Sequence, residues 1–453
     1  MPGWMDHLLG RVFGRATQAP LPLEPLPPGA AHALLFGAVQ APPPEPPPAP
    51  PPPAAPPPPD PPIAAVPEPS EPPAPLTAEC VEDWATLAVP IETPSWDHDL
   101  GRLELAPAAM SLPARPLVPG TEAFAPEWLV AHHARGARSP RPGLACYFIR
   151  DATVSGNGQV WLGERLVTAR DLLPRYMQGL MGLGGTLNQN MLKAHHLPER
   201  IIDPPTAVLL GHGIHVYGHF LIEMLFRFMQ VETALGRRAA GMRYLLDRAA
   251  PPWLLRILTE DLRIPVEHLV FFDPRQERVL LRRAVVPTHV GGEEHGFHPM
   301  AAELADRAAA RLNLPATTTP RRFFATRLDF SNPASGAKRV CLNEPALIEI
   351  ARREHGFEPL ALQDLPWPQQ VAAFRHAEIV VGAFGSALHT AQFSPRGTRM
   401  GVIGFGALVQ SNISAMRQTD MAYLARDIDI HGAFMIDEQA FRRFLAALCA
   451  PSG

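Results

Sequence analysis

The stretch Ile379-Val-Val-Gly-Ala-Phe-Gly-Ser-Ala-Leu-His-Thr390 decides the fold. Its opening residues are an unbroken apolar run, as a strand covered on both faces requires. Glycines at 382 and 385 then punctuate a turn that opens into a predicted helix. Strand, tight turn and helix in that order form half of an α/β unit. Glycine there permits close backbone approach, and the turn offers unpaired N–H groups at the positive end of a helix dipole. That combination suits a diphosphate. A Gly-x-x-Gly that merely turns the chain is the competing reading, and both stay open at this point.

Working outward, strand and helix alternate on both sides. Downstream of a predicted linker over 315–320, the pattern predicts a strand over 322–326, a helix over 345–355, a strand over 357–362 and a helix over 368–375. Residues 399–405 and a last helix over 437–449 follow the opening stretch. Upstream, strands are expected over 206–210, 242–246, 266–272 and 284–290, with helices over 220–235, 252–262 and 298–312. Short alternating segments at 145–150, 159–162 and 165–167, separated by Ser155-Gly-Asn-Gly158 and Gly163-Glu164, predict an antiparallel meander. The fold class is therefore α/β, with two Rossmann-like domains facing a cleft. Residues 77–316 form the first, carrying the meander, and 317–453 the second. Within 77–143 the pattern is too weak to assign.

Before residue 77 the composition changes. Twenty-one of the 55 prolines fall in the 36 residues 41–76, where missing donors and fixed φ exclude helix and sheet. This tract is expected to be a disordered, semi-rigid spacer. It also holds the whole formal net charge of −4, so the body from Thr77 is neutral, which excludes an electrostatic nucleic-acid binder. Within the N-terminal segment 1–40, residues 4–15 space Trp4, Leu8, Leu9, Val12 and Phe13 on one helical face. They are a candidate for peripheral membrane contact, weighed against a terminus that docks on the body or on nothing.

Four widely spaced cysteines give no disulfide framework or thiolate metal site and fit a reducing compartment. Basic residues are 38 Arg and only two Lys, so an anion site falls mainly to guanidinium groups. The segment from Arg327 to Arg339, in the same domain as the glycine turn, carries three cations, Arg327, Lys338 and Arg339. They either close over an anionic leaving group or are ordinary surface residues.

A second concentration of chemistry is His212-Gly-Ile-His-Val-Tyr-Gly-His-Phe-Leu-Ile-Glu223. Its histidine spacing admits a metal site on one helical face, but Gly211, Gly213 and Gly218 favour a loop at the carboxyl edge of the sheet. His219, entering the helix, and Glu223, one turn on, then face the same side. His219 as general base with Glu223 orienting it, and His219 as a capping or substrate-orienting group, stand as equal alternatives. A polar run, Gly291-Gly-Glu-Glu-His-Gly-Phe-His298, is a solvated loop or a cleft wall.

Three separated blocks resemble family 61 glycosyltransferases. They are Tyr217-Gly-His-Phe-Leu-Ile-Glu-Met-Leu-Phe-Arg227, Arg327 with Lys338-Arg-Val-Cys-Leu-Asn-Glu344, and the span from Glu358 to Gly397 that contains the opening stretch. The resemblance covers about residues 200–410 in consistent order. It implies a GT-B-like fold and inversion at the anomeric carbon, with no cofactor and no metal. A nucleotide sugar would be the donor co-substrate and a glycan or lipid-linked glycan the acceptor. Catalysis would fall to His219 and Glu223, and donor binding to Arg327, Lys338, Arg339, Asn343, Glu344, Gly385, Ser386, Leu388 and His389. The setting it implies is bacterial capsule or exopolysaccharide assembly in the cytoplasm, peripheral at the inner membrane if residues 4–15 anchor there. Phe384 stands where the family usually has His, and His389-Thr390 replaces Thr-Asn. These departures motivate the alternative of a non-catalytic GT-B-like protein that binds glycan or nucleotide sugar.

Overall fold

Strand Arg278–Pro287 joins two kinds of sheet. It runs antiparallel to Leu144–Ser155, with Ala284 opposite Ile149, and parallel to Thr206–Val208, with Ala284 opposite Thr206. The meander and the α/β layer are therefore one mixed, eleven-stranded sheet. Its first half alternates buried Val279 and Leu281 with half-buried Arg278 and Leu280, Arg282 and Arg283 are exposed, and Ala284–Pro287 is buried throughout. The arginines break the apolar run, so the expected strand 284–290 starts instead at Arg278 and ends at Pro287. The meander Leu144–Ser155, Gln159–Leu162 and Arg165–Thr168 is antiparallel, as expected.

The computed structural model describes residues 81–83, 87–135, 139–156, 158–168, 196–291, 296–316, 319–328, 340–406, 408–425 and 433–451. Segment 4–15, tract 41–76, Lys338, Arg339 and the centre of the run 291–298 lie outside them. The described residues belong to the compact unit Ser70–Gly453. Among them no helix is long and apolar enough to cross a membrane.

The second sheet is wholly parallel. In space its strands run Glu358–Leu360, Arg322–Ala325, Ile379–Ala383, Arg399–Gly404 and Asp420–Ala425. Numbered along the chain, that order is 2-1-3-4-5, a doubly wound sheet whose order reverses between Arg322–Ala325 and Ile379–Ala383. Strand alternation splits its side chains between two layers. Phe324, Val381 and Ile403 pack under helices Glu344–His355 and Glu438–Cys449. Phe323, Val380 and Val402 face helix Trp367–His376 and a core continuous with that of the first sheet.

Several expected elements shift. Residues 266–268 are a 3-10 turn before strand Leu269–Phe272. Helix Leu408–Arg417 and strand Asp420–Ala425 had no counterpart in the sequence pattern. That helix buries Gln410, Ser411, Asn412 and Ser414, which resembles a loop until their tertiary partners are known. Ser414 Oγ donates to Thr419 O at 2.8 Å, and Ser411 Oγ meets Tyr423 Oη at 2.7 Å and His133 Nδ1 at 3.0 Å. His133 lies on helix Glu127–Arg135, in the stretch left unassigned. Val118 N also bonds Met421 O at 2.8 Å, so residues 118–135 ride on the second sheet.

Candidate active site

Both charged motifs emerge at carboxyl ends of strands. Helix formation begins at Tyr217, three residues earlier than expected, and continues to Leu235 through a π-turn at Phe220–Met224. Such a widened turn re-aims the side chains around it and is frequent at functional sites. Here it holds Glu223 and begins directly after His219, and His219 Nδ1 lies 2.8 Å from Glu223 Oε1. Glu223 is 4 % exposed. A carboxylate only accepts, so the paired neutral imidazole carries its proton on Nδ1, and Nε2 is the basic nitrogen.

Arg227 lies one turn further along, on helix Leu225–Leu235. Its guanidinium is buried and donates to Leu210 O at 2.6 Å, Val208 O at 2.9 Å and Pro287 O at 3.3 Å. It thus ties the ends of two adjacent parallel strands to the helix. Burial pulls its pKa down to about 10, opposed by the charge of Glu223. The signal that would have found it is an acid and a base four residues apart on a helix with an otherwise apolar face.

In the second sheet, Arg327 follows strand Arg322–Ala325, and the glycine turn follows strand Ile379–Ala383. They meet where the strand order reverses, the position at which α/β sheets bind ligands. Arg327 Nη1 donates to Phe384 O at 3.1 Å, and Arg327 N donates to Glu344 Oε1 at 2.8 Å. Burial lowers the proton affinity of Arg327, opposed by Glu344; burial raises that of Glu344, opposed by the Arg327 N–H. A Cβ on Gly385 would lie 2.7 Å from Arg327 Nη1, so the absent side chain is what admits the guanidinium. Ser386 starts a 3-10 helix, Ser386–Phe393, rather than the α-helix expected. Its leading N–H groups have no intrahelical acceptor.

The remaining sequence candidates take other places. Asn343 clamps a backbone: Nδ2 donates to Ile436 O at 2.7 Å and Oδ1 accepts from Ile436 N at 3.1 Å. Leu388 is 1 % exposed and packs against Gly382. His215 Nε2 lies 3.3 Å from Asp247 Oδ2, so His215 and His219 take separate carboxylates. His389 is 5 % exposed and faces the helix that carries His219. A Cβ on Gly218 would be 2.6 Å from His389 Nδ1 and 2.8 Å from Ser386 Oγ. The motif around His219 therefore abuts the glycine turn directly.

That junction is reinforced by contacts invisible in the sequence. Tyr217 Oη donates to Gln370 Oε1 at 2.9 Å. Edge-to-face rings run from Tyr217 to Trp253, Trp253 to Phe220, Phe220 to Trp367 and Trp367 to Phe393, with centroids 5.6–6.2 Å apart. Residues 217–401 match the family model for Glycosyltransferase 61. Over that segment the chain is similar to family 61 glycosyltransferases. The matched segment starts at Tyr217 and ends within strand Arg399–Gly404, so it contains the junction and the reversal point of the second sheet. No curated protein matches the chain.

Proposed function

We propose that the enzyme inverts the anomeric carbon in a single displacement, moving a sugar from a nucleotide sugar to a glycan or lipid-linked glycan. The observation that carries this reading is the Gly218 contact, which sets the His219–Glu223 pair against the turn holding Arg327. His219 Nε2 takes the acceptor hydroxyl proton as the new carbon–oxygen bond forms. The bond from the anomeric carbon to the phosphate oxygen breaks, and its electron pair leaves with the nucleoside diphosphate. Arg327, the leading N–H groups of 385–387, and Lys338 and Arg339 stabilise that departing charge, in the role a metal ion has in other transferases. The two sheets act as the donor and acceptor halves of a GT-B-like pair. Polysaccharide assembly on the cytoplasmic face of a bacterial membrane is the setting we infer.

A non-catalytic binder is the second reading, motivated by Phe384. The bond from Arg327 goes to the Phe384 carbonyl, which no side-chain change at 384 removes, while the ring packs on Phe405 with centroids 5.5 Å apart. This favours a working donor turn. The deciding experiment is a nucleotide-sugar panel followed by thermal shift and sugar transfer, with and without chelator. Arg327→Ala is expected to abolish donor binding. His219→Ala should retain binding and lose about 10²–10⁴-fold in turnover. Normal transfer by both variants would refute the site, and chelator-sensitive transfer would refute its metal independence.

A further inference from the structure

Arg141 is a buried cation of unusual standing. It closes the two-residue strand Pro140–Arg141, opposite Ala109, and is 5 % exposed. Its Nε has no hydrogen-bond acceptor, and no ion pair to it is found among the described residues. Other sequestered arginines are satisfied: Arg227 by three carbonyls, Arg311 by Glu232 and Leu262 O, Arg417 by Asp306 and two carbonyls. A buried charge is ordinarily paired because desolvation is so unfavourable.

Two imidazoles share this neighbourhood. His298 is fixed as a neutral tautomer, Nε2 donating to Pro107 O at 3.0 Å and Nδ1 accepting from Met300 N at 3.1 Å. Pro107 lies two residues before Ala109, the partner of Arg141, and His298 N bonds Val290 O at 2.7 Å. That places His289, next to Val290, in the same cluster. His289 Nδ1 is buried without a partner among the described residues. Its flank is rigid: Thr288 N bonds Ala145 O at 3.0 Å, and Gln230 Nε2 bonds Thr288 O at 2.7 Å. Burial first, and the charge of Arg141 after it, lower the proton affinity of both imidazoles; at His289 Arg227 lowers it too and Glu223 opposes. The cluster therefore adjoins the Glu223–Arg227 turn, on the helix that carries His219.

We propose that Arg141 and His289 form an oxyanion subsite on the acceptor side of this glycosyltransferase, taking a carboxylate or phosphate group of the acceptor. This rests on the assignment of the first sheet to the acceptor. A planar guanidinium fork suits either group, and His289 adds a donor once an anion offsets the local positive charge. Arg141, its Nε unpartnered among the described residues, is retained at a cost in stability that the ligand relieves.

The test is thermal shift of the full chain with glucuronate, inorganic phosphate and glucose as probes, in wild type, Arg141→Met and Arg327→Ala. Wild type and Arg327→Ala should be stabilised by the charged probes and not by glucose. Arg141→Met should lose that response while melting above wild type without ligand, because an apolar chain of similar volume replaces an unpaired buried charge. A larger response to glucuronate identifies an acidic sugar, and a larger one to phosphate a phosphorylated acceptor. Absence of any response in wild type overturns the proposal, as does Arg141→Met melting below wild type with its response intact. Loss of response in Arg327→Ala alone assigns the anions to the donor turn, overturning the subsite and leaving the transferase reading standing. If Arg141→Met does not fold, Arg141→Lys carries the test: probe affinity should fall about tenfold as the fork is lost, and unchanged affinity overturns the proposal.

Discussion

Replacing Gly218 with alanine tests the junction on which the site depends. The new methyl would lie 2.6 Å from His389 Nδ1, 2.8 Å from its Cε1 and 2.8 Å from Ser386 Oγ. Comfortable separation is about 3.5–4 Å, so three atoms must each retreat by about 1 Å. Ser386 is half-buried and its hydroxyl can rotate away. His389 is 5 % exposed with the Phe384 ring beside it, so its displacement spreads into the turn. Overpacking of this kind costs about 1–3 kcal/mol. Against it stands the helical preference of alanine over glycine, about 1 kcal/mol in a helix interior and less at the second residue of a helix. The expected net loss is about 1–2 kcal/mol, read as a lower urea midpoint, together with reduced sugar transfer as the His219 helix separates from the donor turn. His389→Ala should relieve the clash, so the double variant regains stability relative to Gly218→Ala and the two changes couple by more than about 0.5 kcal/mol. A Gly218→Ala enzyme at or above the wild-type midpoint, with full transfer, would refute the tight junction.

Three further outcomes follow from the same geometry. Gly385→Ala puts a methyl 2.7 Å from Arg327 Nη1 on backbone that is extended (φ 172°), so the strain falls on the guanidinium alone. Donor affinity should drop about tenfold by titration, while the urea midpoint stays near wild type. Arg227→Met leaves the Val208, Leu210 and Pro287 carbonyls without their donor and should cost about 3–5 kcal/mol in unfolding free energy. His289 is held down to about 4, chiefly by burial and then by Arg227, from an ordinary 6.5. The unfolded chain therefore binds a proton that the folded one refuses, and stability falls as pH drops from about 6.5 to about 4, by at most about 3 kcal/mol. Urea midpoints at pH 7 and pH 5 check the sign, and His289→Asn should flatten the difference.

Legibility in the sequence followed the range of the interaction. The apolar run at 379–383 and its glycines sufficed for a parallel strand and a turn, because burial on both faces leaves no polar alternation to misread. His219 and Glu223 were readable as partners because helical geometry brings residues four apart onto one side. Helix Leu408–Arg417 failed for the opposite reason: its buried polar side chains are satisfied by Thr419, Tyr423 and His133, and the last lies 278 residues away from Ser411. The place of Asn343 is equally non-local, since both ends of its amide bond the Ile436 backbone.

Sequence alone determined the α/β alternation, the neutral body, the scarcity of lysine and the family resemblance, all of which are local or compositional. Tertiary structure decided which strands share a sheet, where the order of the second sheet reverses, and that Gly218 meets Ser386 and His389. It also decided that Arg141 is buried, with its Nε unpartnered among the described residues. Those facts depend on which distant surfaces come within an ångström or two of each other. A pattern of residue types along one chain carries no record of that distance.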